Sequence, residues 1–264
     1  MSRLQGLLFG VATLVLVGVS TLLFTRSWLP PLVSDRGAID GAMFVSLVVT
    51  GLVFIVTNVM LAWFAWRYQD APGATAAYWH DNPRLEWTWT LVTAAIMAVF
   101  AVNALSLWAE VNSPPPDDAL AIEVVGQQFA WNVRYPGKDN LFGRTDPKLV
   151  DPQSLNFIGL DTNDPAAADD IVMPQNQLYL PEGRPVAVRL RSLDVIHSFF
   201  LPNFRVKQDA MPGLTSQLWF VAKQSGDYEI ACAEHCGLGH YRMRGQVHVV
   251  PAAAFDEAVA KALE

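Results

Sequence analysis

Cysteine is nearly absent from this chain: two residues in 264, Cys232 and Cys236. That excludes a disulfide-built scaffold, and without a Cys-x-x-Cys-His run it excludes a covalently attached haem. The pair can serve as one short disulfide, a redox dithiol or two thiolate ligands. Charge is scarce too. Asp, Glu, Lys and Arg make up 16% of the residues and hydrophobic residues 52%, against about 25% charged residues in an ordinary soluble domain. The deficit points to membrane segments. Basic excess is also missing, since the formal net charge is −7. From Val111 onward there are 19 Asp/Glu and 13 Lys/Arg, a balance of −6. An acidic exposed part repels nucleic acid and attracts a basic partner. No internal repeat and no low-complexity tract is present.

What the chain does have in its first half is long apolar runs. Leu7 to Phe24 follows a single early Arg3 and reads either as the hydrophobic stretch of a signal peptide or as a transmembrane helix near the lower length limit. Met43 to Trp66 and Trp87 to Ala109 contain no charge, and each is longer than the roughly 20 helical residues that span a ~30 Å hydrocarbon core. Trp63, Trp66, Trp87, Trp89 and Trp108 fall near their ends, where interfacial aromatics belong. Lys/Arg counts in the flanking loops tie, but both fates of the first run export the C-terminal part.

The texture changes after Trp108. Asn112 to Pro116 is a stiff, proline-rich linker. Beyond it come short runs such as Ile122–Val125, Val186–Leu190, Leu218–Val221, Tyr228–Ile230 and Val247–Val250, separated by Gly, Pro and Asp. In the second of these Val186, Val188 and Leu190 alternate with Ala187 and Arg189, a period of two. Such spacing predicts an all-β sandwich or barrel, with an Asp- and Pro-rich surface loop between Pro136 and Pro174 and a helix over Ala252–Leu263. The expected partition is a signal peptide or extra helix over 1–40, a transmembrane hairpin over 41–110, a linker over 111–116, a β domain over 117–251 and a helical end over 252–264.

Chemistry concentrates in Cys232-Ala-Glu-His-Cys236-Gly-Leu-Gly-His240-Tyr-Arg-Met243. Two thiols, an imidazole and a thioether lie within twelve residues, and His197 stands upstream beside a strand-like run. Thiolate and thioether sulfur favour copper, whereas zinc has little use for a thioether. A mononuclear blue-copper site needs one Cys, two His and a weak Met. The second Cys makes two bridged metal ions the better reading, with His197 and His240 as end ligands and Met243 as a weak one. His235 lacks such company, and His248 alternates with Val247 and Val249, which places it towards solvent or a polar interface. Arg205, Lys207, Arg242 and Arg244 cluster around the motif, either as a solvated rim or as a contact with a partner.

From Asp194-Val-Ile-His197-Ser to Met243 the sequence resembles the dinuclear copper (CuA) segment of cytochrome c oxidase subunit 2, and the likeness extends over about Gly41 to Val250. The resemblance implies a membrane-anchored chain: a helical hairpin followed by a cupredoxin-like β-barrel. It implies His197, Cys232, Cys236, His240 and Met243 as side-chain ligands of two copper ions. Glu234 would ligate through its backbone carbonyl, while its side chain would help hold a magnesium ion shared with subunit 1. Glu86-Trp-Thr-Trp-Thr90 is similar to the family's Glu-x-x-Trp-Thr, which implies Glu86 at the mouth of a proton path. Gly126 to Tyr135 is similar to the aromatic segment between copper and donor, so Phe129 and Trp131 are candidates for electron transfer. Phe129 and Phe199 stand where the family commonly has Trp.

The implied function is acceptance of electrons from cytochrome c and their delivery to haem in subunit 1, where oxygen is reduced and protons are pumped. Implied partners are subunits 1 and 3, the cytochrome donor and a bacterial plasma membrane, with the copper domain outside. Three other readings stand beside it: a copper-bearing subunit of a nitric-oxide reductase-like complex, a membrane-bound copper-delivery or thiol-redox protein on a thioredoxin-like scaffold, and a copper-free quinol-oxidase subunit.

Overall fold

Each of the three apolar runs forms a helix long and apolar enough to cross a membrane: α1 (Arg3–Phe24), α2 (Gly37–Arg67) and α3 (Pro83–Val111). The computed structural model describes residues 3–24, 29–68, 73 and 75–264. It divides into a helical unit, Met1–Trp28 with Ala38–Trp108, and a β unit, Leu29–Gly37 with Ala109–Glu264. Around α2 only Ala62 is buried, and along α3 nothing is. An apolar perimeter of that extent is unfavourable in water and at home in lipid. The polar side chains along these helices turn back onto their own backbone. Thr50, Thr57, Asn58 and Asn103 donate to the carbonyls of Ser46, Val53, Phe54 and Val99, which removes the cost of an unpaired donor in hydrocarbon. Pro83 starts α3 at a position where a missing N–H costs nothing. Asn82 Oδ1 accepts from Leu85 N–H at 3.2 Å, and Glu86 Oε1 accepts from Asn82 N–H at 3.3 Å, a reciprocal cap.

The β unit is a two-sheet sandwich. One sheet runs β3 (Ile171–Val172), β2 (Ala130–Tyr135), β1 (Leu120–Gln127), β5 (Pro185–Ser192), β8 (Ser216–Val221). The other runs β4 (Gln177–Pro181), β10 (Arg244–Val250), β9 (Gly226–Cys232), β6 (His197–Leu201), β7 (Val206–Ala210). The pairs β1/β5 and β4/β10 are parallel and the others antiparallel. The five strand-like runs named from the sequence lie inside β1, β5, β8, β9 and β10. Their alternate residues form the core: Ile122 and Val124, Val188 and Leu190, Phe220, Ile230, Val247 and Val249 are all buried. Helix α4 (Phe255–Ala262) closes one end through Phe255 and Val259.

Two segments complete the sandwich. Residues 136–170 hold three short 3-10 turns, each begun by an Asp-Pro step at Asp146, Asp151 and Asp164, whose carboxylates accept from backbone N–H groups two residues on. Buried charges hold this loop down. Arg134 donates to Glu123 Oε2 at 2.7 Å, to Asp170 Oδ2 at 2.8 Å and to the Gly143 carbonyl, while Arg191 lies 3.3 Å from Glu123. The second segment, Leu29–Gly37, lies in sequence between α1 and α2 yet packs in the β unit. Val33 N–H donates to the Asn203 carbonyl, Ser34 Oγ to the Phe204 carbonyl, and Asp35 exchanges two hydrogen bonds with Val221. Arg36 lies over the Trp219 ring and donates to the Trp219 carbonyl.

Candidate metal centre

Sheet register delivers the donors to one end of the sandwich. His197 opens β6 and Cys232 closes β9, and Phe199 in β6 pairs directly with Cys232. From Cys232 the chain loops out and returns at Met243 just before β10, with Cys232 N–H donating to the Met243 carbonyl at 3.2 Å. The loop therefore starts and ends on adjacent strands, which brings residues 232, 236, 240 and 243 over the end of the core.

The ligand-type atoms converge there. One each from His197, Cys232 and Cys236 lies within 4.8 Å of the others. The Cys236 sulfur stands 3.9 Å from the Cys232 sulfur, 3.7 Å from His240 Nδ1 and 3.7 Å from the Met243 sulfur. His240 lies outside the tight group of three and joins it through Cys236, so the donors form an elongated set centred on the two sulfurs. The thiols are unbonded to each other. The Cys232 thiol donates to the Glu234 carbonyl at 3.2 Å, so that carbonyl already faces the set. The Glu234 side chain is exposed.

A test of whether these residues suit a metal comes from His197. Its ring is fully buried, Nε2 is 2.8 Å from Asp194 Oδ1, and Nδ1 has no partner among the described residues. Leaving a buried imidazole nitrogen unpaired costs about 1–3 kcal/mol. With the carboxylate accepting the hydrogen bond of Nε2–H, Nδ1 is left with a free lone pair, and the ring lies beside two thiols. Soft sulfur donors with this imidazole fit copper. Burial, and then the neighbouring Cys232 thiol, push the Cys236 thiol up to about 11. Metal binding there must displace that proton. Burial pushes Asp194 up as well, but hydrogen bonds from Gln128 N–H, His197 and Val195 N–H outweigh it and hold the carboxyl below its ordinary value.

The other sequence candidates fall as follows. Phe129 is partly exposed and lies against the backbone of the ligand loop: a Cβ added at Gly239 would stand 2.4 Å from its ring. Trp131 is fully buried, its ring 5.9 Å from that of His197 and 5.4 Å from that of Phe199. Glu86 belongs to the helical unit, as the cap of α3. His248 has both ring nitrogens on oxygens, Asp227 Oδ1 at 2.6 Å and Gln177 Oε1 at 2.7 Å, and stays out of the donor set. Arg244 pairs with Glu229 at 3.0 Å and Arg205 donates to the Pro30 and Pro202 carbonyls, while Lys207 and Arg242 are exposed. Sequence reasoning missed Asp194 and Gln128 as braces of the site. An Asp three residues before a candidate ligand His was the available signal for the first. Gln128 had none.

The family model described as cytochrome c oxidase subunit II, periplasmic domain, matches residues 120–250. An alternative cytochrome c oxidase subunit 2 of Bradyrhizobium diazoefficiens is 36% identical over 239 residues, covering 89% of this chain and 85% of the relative. A cytochrome c oxidase subunit 2 of Cereibacter sphaeroides is 30% identical, covering 85% and 75%. Among solved structures, the periplasmic domain of subunit II of the Bradyrhizobium japonicum cytochrome oxidase aligns with a TM-score of 0.41 and 28% identity, over 57% of this chain and 97% of that one. This chain therefore belongs to the cytochrome c oxidase subunit II family, whose members are subunits of an oxidoreductase complex.

Proposed function

We propose that the chain is the electron-accepting subunit of a respiratory terminal oxidase, taking electrons from a c-type cytochrome and passing them to haem in subunit 1. The observation that carries this reading is the convergence of His197, Cys232 and Cys236 at one end of the sandwich, with the buried Nδ1 of His197 left without a partner among the described residues. Cys232 and Cys236 would hold two copper ions between them, with His197 and His240 as end ligands, Met243 as a weak ligand and the Glu234 carbonyl completing the set. A copper pair of this kind supplies a one-electron couple shared over two metals, with little change in bond length. The protein's part is to hold the donors rigidly and to keep water out: His197 is fully buried, and Cys236 and Met243 nearly so. Phe129, lying on the ligand loop at the surface, would lie between donor and thiolates, with Trp131 packing beneath. The Glu234 carboxylate would reach a magnesium ion shared with subunit 1, and Glu86 would stand at the inner mouth of a proton path. Location in a bacterial plasma membrane, with the copper domain on the outer side and subunits 1 and 3 alongside, follows from the same reading.

A thiol-redox or copper-delivery role of the thioredoxin type has less support, because the cysteines sit on a β sandwich and not on an α/β scaffold. The deciding experiment loads the full chain, purified in detergent, with copper and records metal content and electron paramagnetic resonance. Two copper ions per chain with one unpaired electron spread over both would support the reading. A chain that stays metal-free and oxidises to a Cys232–Cys236 disulfide would sink it. In the assembled complex, consumption of oxygen with reduced cytochrome c separates an oxidase from a nitric-oxide reductase.

A further inference from the structure

Gln128 sits at the tip of the β1–β2 hairpin, outside the ligand motif, yet it reaches both ligand-bearing segments. Its side-chain Nε2 donates to the Cys236 carbonyl at 2.5 Å. Its backbone N–H donates to Asp194 Oδ2 at 2.7 Å, and the other oxygen of that carboxylate holds His197 Nε2 at 2.8 Å. We propose that Gln128 is a positioning residue for the copper centre, fixing the ligand loop against the segment that carries His197; this rests on the copper reading above.

Three features support it. A carbonyl oxygen can only accept, so the side-chain atom facing Cys236 must be the amide nitrogen and the contact is a true donor–acceptor pair. No other hydrogen bond to the Cys236 carbonyl occurs among the described residues. The loop is also shaped to receive the hairpin tip. Gly237 has φ +134°, and a Cβ there would stand 2.8 Å from Gln128 Nε2. Beyond Cys236 the loop has no regular structure until the turn His240–Arg242. An anchor on the carbonyl of Cys236 therefore sets the direction in which the chain leaves one ligand and approaches the next. Partners of this outer kind are typically worth about 10–100-fold in metal affinity.

The test uses the full chain in detergent, wild type beside Gln128→Met and Gln128→Glu. Methionine keeps the length and removes the donor, and glutamate sets an acceptor against the Cys236 carbonyl. Gln128 is exposed, so neither change disturbs the core, and the melting midpoint of the copper-free protein should move only by the small amount that one hydrogen bond at the surface contributes. Expected in chelator competition is about a tenfold loss of copper affinity for Q128M and a larger loss for Q128E, each with an altered copper resonance pattern. Wild-type affinity and spectrum in Q128M would overturn the proposal, because a residue that only fills space is replaced by methionine without effect. A drop in affinity accompanied by an equal fall in the copper-free melting midpoint would overturn it too, by placing the effect on folding. A wild-type chain that binds no copper defeats the copper reading itself, a result distinct from wild-type binding with an unchanged variant.

Discussion

Cys236 touches three other donors, and that crowding sets how the site responds to pH. Its thiol is pushed up from the ordinary 9.0 to about 11 by burial and by Cys232. A group whose folded value is raised binds its proton more tightly in the native state, so its contribution is complete below pH 9 and is lost as pH rises through about 11. The melting midpoint of the copper-free protein should therefore fall between pH 9 and 11. Cys236→Ser should show a smaller fall, measured by calorimetry. Loading runs the other way, since binding releases protons, and copper affinity should rise with pH across neutrality. Cys232→Ser or Cys236→Ser should abolish the dinuclear resonance signal, whereas Met243→Ala should alter it without emptying the site; an unchanged spectrum in Cys232→Ser would disprove the ligand set. The candidate ligands stand out in the sequence because four of them fall within twelve residues and the fifth stands beside a strand-like run. Asp194 and Gln128 were not, because their contacts join residues 66 and 108 positions apart, and no local pattern encodes such a pairing.

At the scale of elements, short apolar runs and alternation revealed five strands, and an Asp- and Pro-rich composition revealed a looped segment, but not what the loop covers. In β2 the order Val133-Arg134-Tyr135 reads as core, surface, core. Arg134 is nevertheless 2% exposed, because residues 136–170 fold over the outer face of that sheet and supply Asp170 and the Gly143 carbonyl as partners. Phe142 lies over the guanidinium groups of both Arg134 and Arg189. Removing one side of a buried ion pair leaves the other charge uncompensated, so Arg134→Met should destabilise the β unit by about 3–5 kcal/mol in chemical denaturation. Arg144, also paired to aspartates but 74% exposed, should lose no more than about 1 kcal/mol on change to Ala.

For the whole molecule the sequence conveyed the split between apolar helices and a β-rich part, because composition alone changes at Trp108. Acidity in the second part yields a kinetic expectation. Oxidation of a basic cytochrome c by the assembled complex should slow as salt rises from about 10 to 150 mM, where the screening length shrinks from ~30 to ~8 Å. A rate indifferent to salt would remove steering from the account. Leu29–Gly37 carries a different kind of consequence. It is part of the β sandwich, yet the ribosome makes it before α2, α3 and every strand it touches. Its partners Asn203, Phe204 and Val221 come 170–186 positions later, which at about 5–20 residues per second is roughly 9–37 s. Val33, Ser34 and Asp35 must spend that interval without their partners. Docking of this early segment has to wait for the domain that receives it, so assembly is ordered by position in the chain as well as by affinity.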